Sequence, residues 1–110
     1  MSELRVEEDD LDYDDNLFRL WQDSKFTGTG VARYRSGAIK REVEYRDGVR
    51  EGVARSWHEN GQLHYICMIS KGSPHGTKTE WHLDGRLKAI EKFEHGIVVE
   101  ARRSSPRTPS

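Results

Sequence analysis

The 110-residue chain has a single cysteine, Cys67, so no disulfide can form within it. That scarcity favours a reducing compartment, and a cytoplasmic location is the expectation. The phase of Cys67 in its apolar segment makes it a small core residue rather than a reactive thiol. Apolar residues are only 34% of the sequence, matched by 34% charged residues. That is too few for a thick two-layer core, yet enough for one apolar sheet face. No apolar run is long enough to span a bilayer, and none resembles the h-region of a signal peptide. No segment sustains a 3.6-residue apolar period, so long amphipathic helices are not expected.

The machinery of common catalytic classes is missing as well. Five histidines invite a metal reading, but no Cys cluster and no H-E-x-x-H accompanies them. His58 and His82 fall two strands apart in the reading below, about 10 Å at ordinary strand spacing, too far to share an ion comfortably. Ser56, Ser70 and Ser73 lack a nucleophile-elbow context. Thr27-Gly28-Thr29-Gly30 echoes a nucleotide loop but opens no helix pattern. The expectation is a non-enzymatic protein without a metal or cofactor.

A repeat is present instead. Gly28, Gly52 and Gly76 recur every 24 residues, as do Gly37, Gly61 and Gly85, and Gly48, Gly72 and Gly96. Trp57 steps to Trp81 and His58 to His82 at the same interval. A period in the twenties indicates stacked supersecondary units rather than one mixed core. Ser36-Gly37, Asn60-Gly61 and Asp84-Gly85 are hairpin-turn chemistry. A three-residue loop there sets Trp57 opposite Leu63 and Trp81 opposite Leu87, and keeps the apolar residues in phase. The same loop length at Asp47-Gly48, Lys71-Gly72 and His95-Gly96 sets Tyr45 opposite Val49. The predicted fold is therefore all-β: an elongated antiparallel β-meander of stacked hairpins forming a single-layer twisted sheet.

The chain divides accordingly. Residues 1–15 hold eight acids (Glu3, Glu7, Glu8, Asp9, Asp10, Asp12, Asp14 and Asp15) and one base, Arg5, a net charge of −7. They read as a disordered, dispensable arm, solvated or poised to steer a basic partner. The array covers residues 16–101: a half repeat at 16–27, with an opening strand from Leu17 to Gln22, then copies at 28–51, 52–75 and 76–99. Residues 102–110 read as a disordered basic tail.

The pattern Gly-x-x-x-x-Trp-x-x-Asn-Gly-x-Leu, followed by a closing glycine, resembles the MORN-repeat variant. It is carried by Gly52, Trp57, Asn60, Gly61, Leu63 and Gly72, and by Gly76, Trp81, Asp84, Gly85, Leu87 and Gly96. Within that variant the chain looks most like the YwqK-type antitoxins. The resemblance spans about residues 21–99 and implies a binding array without catalysis. It implies, more finely, an antitoxin or immunity protein that neutralises a cognate toxin by direct binding. The first copy departs from the pattern, with Arg33 at the tryptophan position, and that end is a candidate docking point.

The candidate partner-binding residues are Arg33 and the aromatics of the apolar stripe: Tyr45, Trp57, Tyr65, Trp81 and Phe93. A one-layer sheet leaves such a stripe open to a partner or to self-association. The acidic arm (Glu7, Glu8, Asp9, Asp10, Asp12, Asp14 and Asp15) supplies the second candidate surface. The expected partner is a protein, such as a toxin. The near-neutral total and the acidic arm argue against nucleic acid and weaken a membrane reading. A structural scaffold or lipid-associated array is the alternative.

Overall fold

The structure, a computed structural model, describes residues 4–103. Seven strands form an unbroken antiparallel meander: β5 (Gly28–Arg33), β6 (Ile39–Arg46), β7 (Val49–Trp57), β8 (Leu63–Ser70), β9 (Ser73–Trp81), β10 (Leu87–Glu94) and β11 (Ile97–Arg103). An eighth strand, β1 (Arg5–Glu7), joins the sheet parallel to β5. Between β1 and β5 the chain forms a short 3-10 turn (Glu8–Asp10) and a small separate sheet of β2 (Asp12–Tyr13), β3 (Arg19–Trp21) and β4 (Ser24–Lys25). Among the described residues there is no α-helix, and the molecule is elongated, 57 × 35 × 29 Å.

The long-period turns follow the predicted three-residue register. Trp57 faces Leu63, Trp81 faces Leu87 and Arg33 faces Ile39. In each hairpin the turn glycine closes back on the residue three before it: Gly37 N–H donates to Tyr34 O, Gly61 N–H to His58 O and Gly85 N–H to His82 O, each at 2.9 Å. A shift in register then separates Ser56 from Trp57, so that Ser56 pairs with Tyr65.

The second set of turns differs from the expectation. Tyr45 faces Arg50, not Val49, and Arg46 faces Val49. The loop has two residues, both with positive φ: Asp47 at 50° and Gly48 at 83°. That is the type I′ geometry whose twist matches the flanking strands. Lys71-Gly72 and His95-Gly96 repeat it. The lost residue is recovered by an irregularity around Gly52, where Val43 pairs with Ala54 although Tyr45 pairs with Arg50. Glu44 fills that bulge and its Oε1 accepts a 2.7 Å bond from Val53 N–H.

These two irregularities divide the stripe expected on one face. Val43, Tyr45, Ala54, Cys67 and Ile69 share an inner face with the half-buried Tyr65. Trp57 and Trp81 fall on the other side, near the turn ends, because each directly follows a residue, Ser56 or Glu80, that pairs with Tyr65.

The N-terminal segment also departs from the expectation. The arm read as disordered is ordered from Leu4 onward: Val6 is 7% exposed, Leu11 is 6% exposed, and both belong to the core cluster with Phe26. Net charge hid two well-placed apolar residues and a set of complementary cations in the array. Arg5 pairs with Glu42 at 2.6 Å, Glu7 with Arg33 at 3.0 Å and Glu8 with Arg41 at 2.6 Å. Likewise, the half repeat at 16–27 does not cap the array as an opening strand. β3 pairs with β2 and β4, while β1 takes the sheet edge. Residues 8–27 form the long crossover that a parallel pair requires, and this crossover covers part of the inner face. Arg102 and Arg103, read as tail, belong to β11; Glu3 and residues 104–110 lie outside the described residues.

Candidate protein-binding cleft

The crossover covers the inner face only partly. Between it and strands β6 to β10 lies a cleft of about 670 Å³. Tyr13, Leu17 and Arg19 form one wall. Its floor includes Tyr45, Tyr65, Cys67, Ile69 and Phe93. Leu17 and Tyr13 are exposed at 75% and 57%. Leu17 adopts φ 66°, unusual for a γ-branched residue, in a loop held by Asp14 Oδ1, which accepts bonds from Asn16 N–H and Phe18 N–H at 2.9 Å.

The charge of the cleft is one-sided. Arg19, Arg41, Arg50 and Lys78 line it against one carboxylate, Glu8. Glu8 is held by a two-pronged bond from Arg41, with Nε at 3.0 Å and Nη2 at 2.6 Å, and by Arg19 at 3.5 Å. The hydrogen bond from Arg41 holds the Glu8 carboxyl below its ordinary range, against an opposing push from burial. Arg19 is 9% exposed, with its guanidinium 4.0 Å from the Tyr13 ring centre. Its Nε is buried without a hydrogen-bond partner. Cys67, 6% exposed, has a thiol pushed up by burial.

A second polar cluster sits beyond the cleft. Glu80 lies 3.3 Å from Lys88 Nζ and 3.4 Å from His64 Nε2. Burial, the largest single influence, would raise the Glu80 carboxyl, but Lys88, Lys78 and His64 together outweigh it and the net shift is downward. The His64 imidazole is pushed down, first by burial and then by His58, whose ring centre is 4.3 Å away. Among the described residues no group of three His, Cys, Asp or Glu side chains could hold a metal ion.

The residues singled out from the sequence are therefore dispersed. Tyr45, Tyr65 and Phe93 line the cleft, with Tyr45 itself 8% exposed and mostly core. Trp57 and Trp81 lie on the other face. Arg33 is occupied by Glu7 and by the carbonyl of Gly37. Of the acidic arm, Glu7 and Glu8 bind the array's own arginines and Asp14 holds a turn, whereas Asp9, Asp10, Asp12 and Asp15 remain exposed. The sequence reading missed Arg19, Arg41, Arg50 and Lys78. The signal for Arg50 was its distance of five residues from Tyr45, which shares a face only if the Asp47-Gly48 loop has two residues.

Stacked hairpins in one open sheet, with a cleft on the inner face, define a β-repeat module. The sequence profile of the MORN repeat variant matches residues 50–69, which is most of the β7–β8 hairpin. No curated protein and no solved structure matches the chain. Among the described residues no helix is long and apolar enough to cross a membrane.

Proposed function

We propose that this repeat module is a non-catalytic protein-binding module that docks its partner in the inner-face cleft, and that it acts as an antitoxin, neutralising a cognate toxin by direct binding. The single observation that supports docking there is the partial cover of the inner face: the crossover leaves Tyr65 and Phe93 reachable beside exposed Leu17 and Tyr13. Exposed aromatic and aliphatic groups around a concave site are the usual anchors of protein recognition. The antitoxin role draws on the resemblance to the YwqK-type proteins. A scaffold reading draws on β11, where Ile97, Val98 and Val99 are exposed at the sheet edge. Yet Glu100, Arg102 and Arg103 charge that edge and a bulge interrupts its pairing with β10, both of which discourage strand-to-strand assembly.

The test is co-expression with the protein encoded beside this chain, followed by titration of the two purified proteins. The expected result is relief of toxicity and a complex of fixed stoichiometry, weakened about tenfold or more by Phe93→Glu with the melting temperature retained. A neighbour that is harmless and does not bind overturns the antitoxin role. A complex indifferent to Phe93→Glu moves docking away from the cleft.

A further inference from the structure

The charges of the cleft say what kind of segment enters it. Four cations face one carboxylate, a surplus of three positive charges. Glu8 is already committed to Arg41 and Arg19. Among the described residues neither Arg50 nor Lys78 has a carboxylate within 4 Å, although Lys78 is near enough to help lower the Glu80 carboxyl. Arg50 Nη2 donates to the carbonyl of Gly72 at 3.1 Å, which anchors the side chain beside the β8–β9 turn. Lys78 places its ammonium 5.2 Å from the Tyr65 ring centre. Glu91 is opposite Lys78 in register, but its carboxylate is engaged by Arg103 at 3.8 Å.

Apolar floor separates the two cations. Arg50 belongs to β7 and Lys78 to β9, with Cys67 and Ile69 of β8 between them. A ligand that satisfies both must carry negative groups at its flanks and apolar groups in its middle. Arg19 adds to the demand for anions: a guanidinium nine-tenths buried, with an unpaired Nε, gains from any negative charge brought nearby in a poorly screened cleft.

We propose that the cleft recognises an acidic segment of a partner protein, interleaved with aromatic or aliphatic side chains, and that Arg50 and Lys78 are its carboxylate-binding residues. This rests on the reading of the cleft as the docking site. The bidentate seat of Glu8 on Arg41 shows carboxylate recognition already at work in one wall. A nucleic acid would meet the same cations, but its dense phosphate charge would also be repelled by Asp9, Asp10 and Asp12, which are exposed on the crossover that carries Tyr13, Leu17 and Arg19. A peptide can place its fewer charges away from them.

Fluorescence anisotropy tests the assignment on the full chain. The probes are a labelled hexapeptide alternating aspartate with phenylalanine and leucine, its asparagine analogue, and a labelled oligothymidylate. The acidic peptide should bind about tenfold or more tighter than its asparagine analogue, with the advantage shrinking from about 50 to about 300 mM salt. Lys78→Glu should remove about tenfold of that affinity, and Arg50→Gln a smaller factor. Lys40→Glu, a charge change outside the cleft lining, should leave it unchanged. Circular dichroism of each variant reports whether the sheet is intact. Equal affinity for both peptides, or equal losses in Lys40→Glu and Lys78→Glu, overturns the proposal. Tighter binding of oligothymidylate overturns it in favour of nucleic acid. If the partner complex forms and responds to Phe93→Glu while the acidic peptide fails to bind, docking in the cleft stands and acid recognition falls. If neither binds there, both fall.

Discussion

The hydroxyl of Tyr34 donates a 2.7 Å hydrogen bond to the carbonyl oxygen of Trp57, one repeat along the array. Twenty-four residues further on, His58 Nε2 meets the carbonyl of Trp81 at 2.9 Å. The opposite end of the sheet has its own ladder: Gly48 N–H donates to Phe26 O, Gly72 N–H to Arg50 O and Gly96 N–H to Pro74 O. Each hairpin is thus tied to its neighbour at both ends, and the 24-residue period of the sequence is the period of these bonds. Tyr34→Phe deletes one rung while keeping the ring. It should cost about 1 kcal/mol, seen as a lower urea midpoint with an unchanged slope. An unchanged midpoint would mean that the rung contributes nothing to stacking.

The turn glycines are unequal. Gly61 has φ 90° with open space where a Cβ would project, so an alanine there meets only backbone strain. Gly48 has φ 83°, and a Cβ would lie 3.0 Å from both Arg19 O and Phe18 Cβ, because the crossover docks on this turn. Gly61→Ala should cost about 1–2 kcal/mol. Gly48→Ala adds overpacking against a backbone carbonyl and should cost about 3 kcal/mol or more. Chemical denaturation of both variants checks the order; equal losses would mean that the crossover does not press on the turn.

The contrast between the two turns also marks what was legible in the sequence. Asn60-Gly61 could be assigned its loop length because Trp57 and Leu63 flank it in unmistakable phase. Asp47-Gly48 could not, because Tyr45 and Val49 look equally well matched; the bulge at Gly52 restores the phase only several residues later. The meander followed from the glycine spacing and the apolar phase across the turns, whereas the cleft required the true loop length, which turns Arg50 and Lys78 inward. In the N-terminal segment, Val6 and Leu11 were outweighed by surrounding acids. Their burial depends on arginines of the array that no local reading connects to them.

Acid should weaken the seat of the crossover. The Glu8 carboxyl lies below its ordinary value of 4.5 because Arg41 hydrogen-bonds its charged form. A carboxyl depressed in the folded state contributes stability that is complete above the unfolded value and is lost as pH falls through the folded one. Stability should therefore decline as pH drops below about 4.5, and Glu8→Gln should flatten that decline between about pH 5 and about pH 3. Some slope should persist in the variant, because the Glu80 carboxyl is also depressed. Urea midpoints measured across this range test the point. An undiminished slope in Glu8→Gln would assign the acid sensitivity elsewhere.

The sharpest prediction concerns the segment that composition marks as dispensable. A chain beginning at Asn16 loses Val6 and Leu11, each more than nine-tenths buried. Burying such side chains is worth about 1.5–3 kcal/mol apiece. The truncation also uncovers Val43 and Tyr45, and leaves Arg19 and Arg41 without the Glu8 carboxylate. Together these losses approach the roughly 5–15 kcal/mol by which a domain is ordinarily stable. The melting temperature should fall by more than about 15 °C, or the cooperative transition should disappear. Charge alone is not responsible, so replacing the exposed Asp9, Asp10 and Asp12 together by asparagine should leave the melting temperature within about 2 °C, as for surface substitutions in general. Differential scanning calorimetry of both proteins separates the two causes. A truncated chain that melts like the intact one would return the segment to the role of a solvated arm. A triple asparagine variant that unfolds would mean that its carboxylates, rather than Val6 and Leu11, hold the crossover in place.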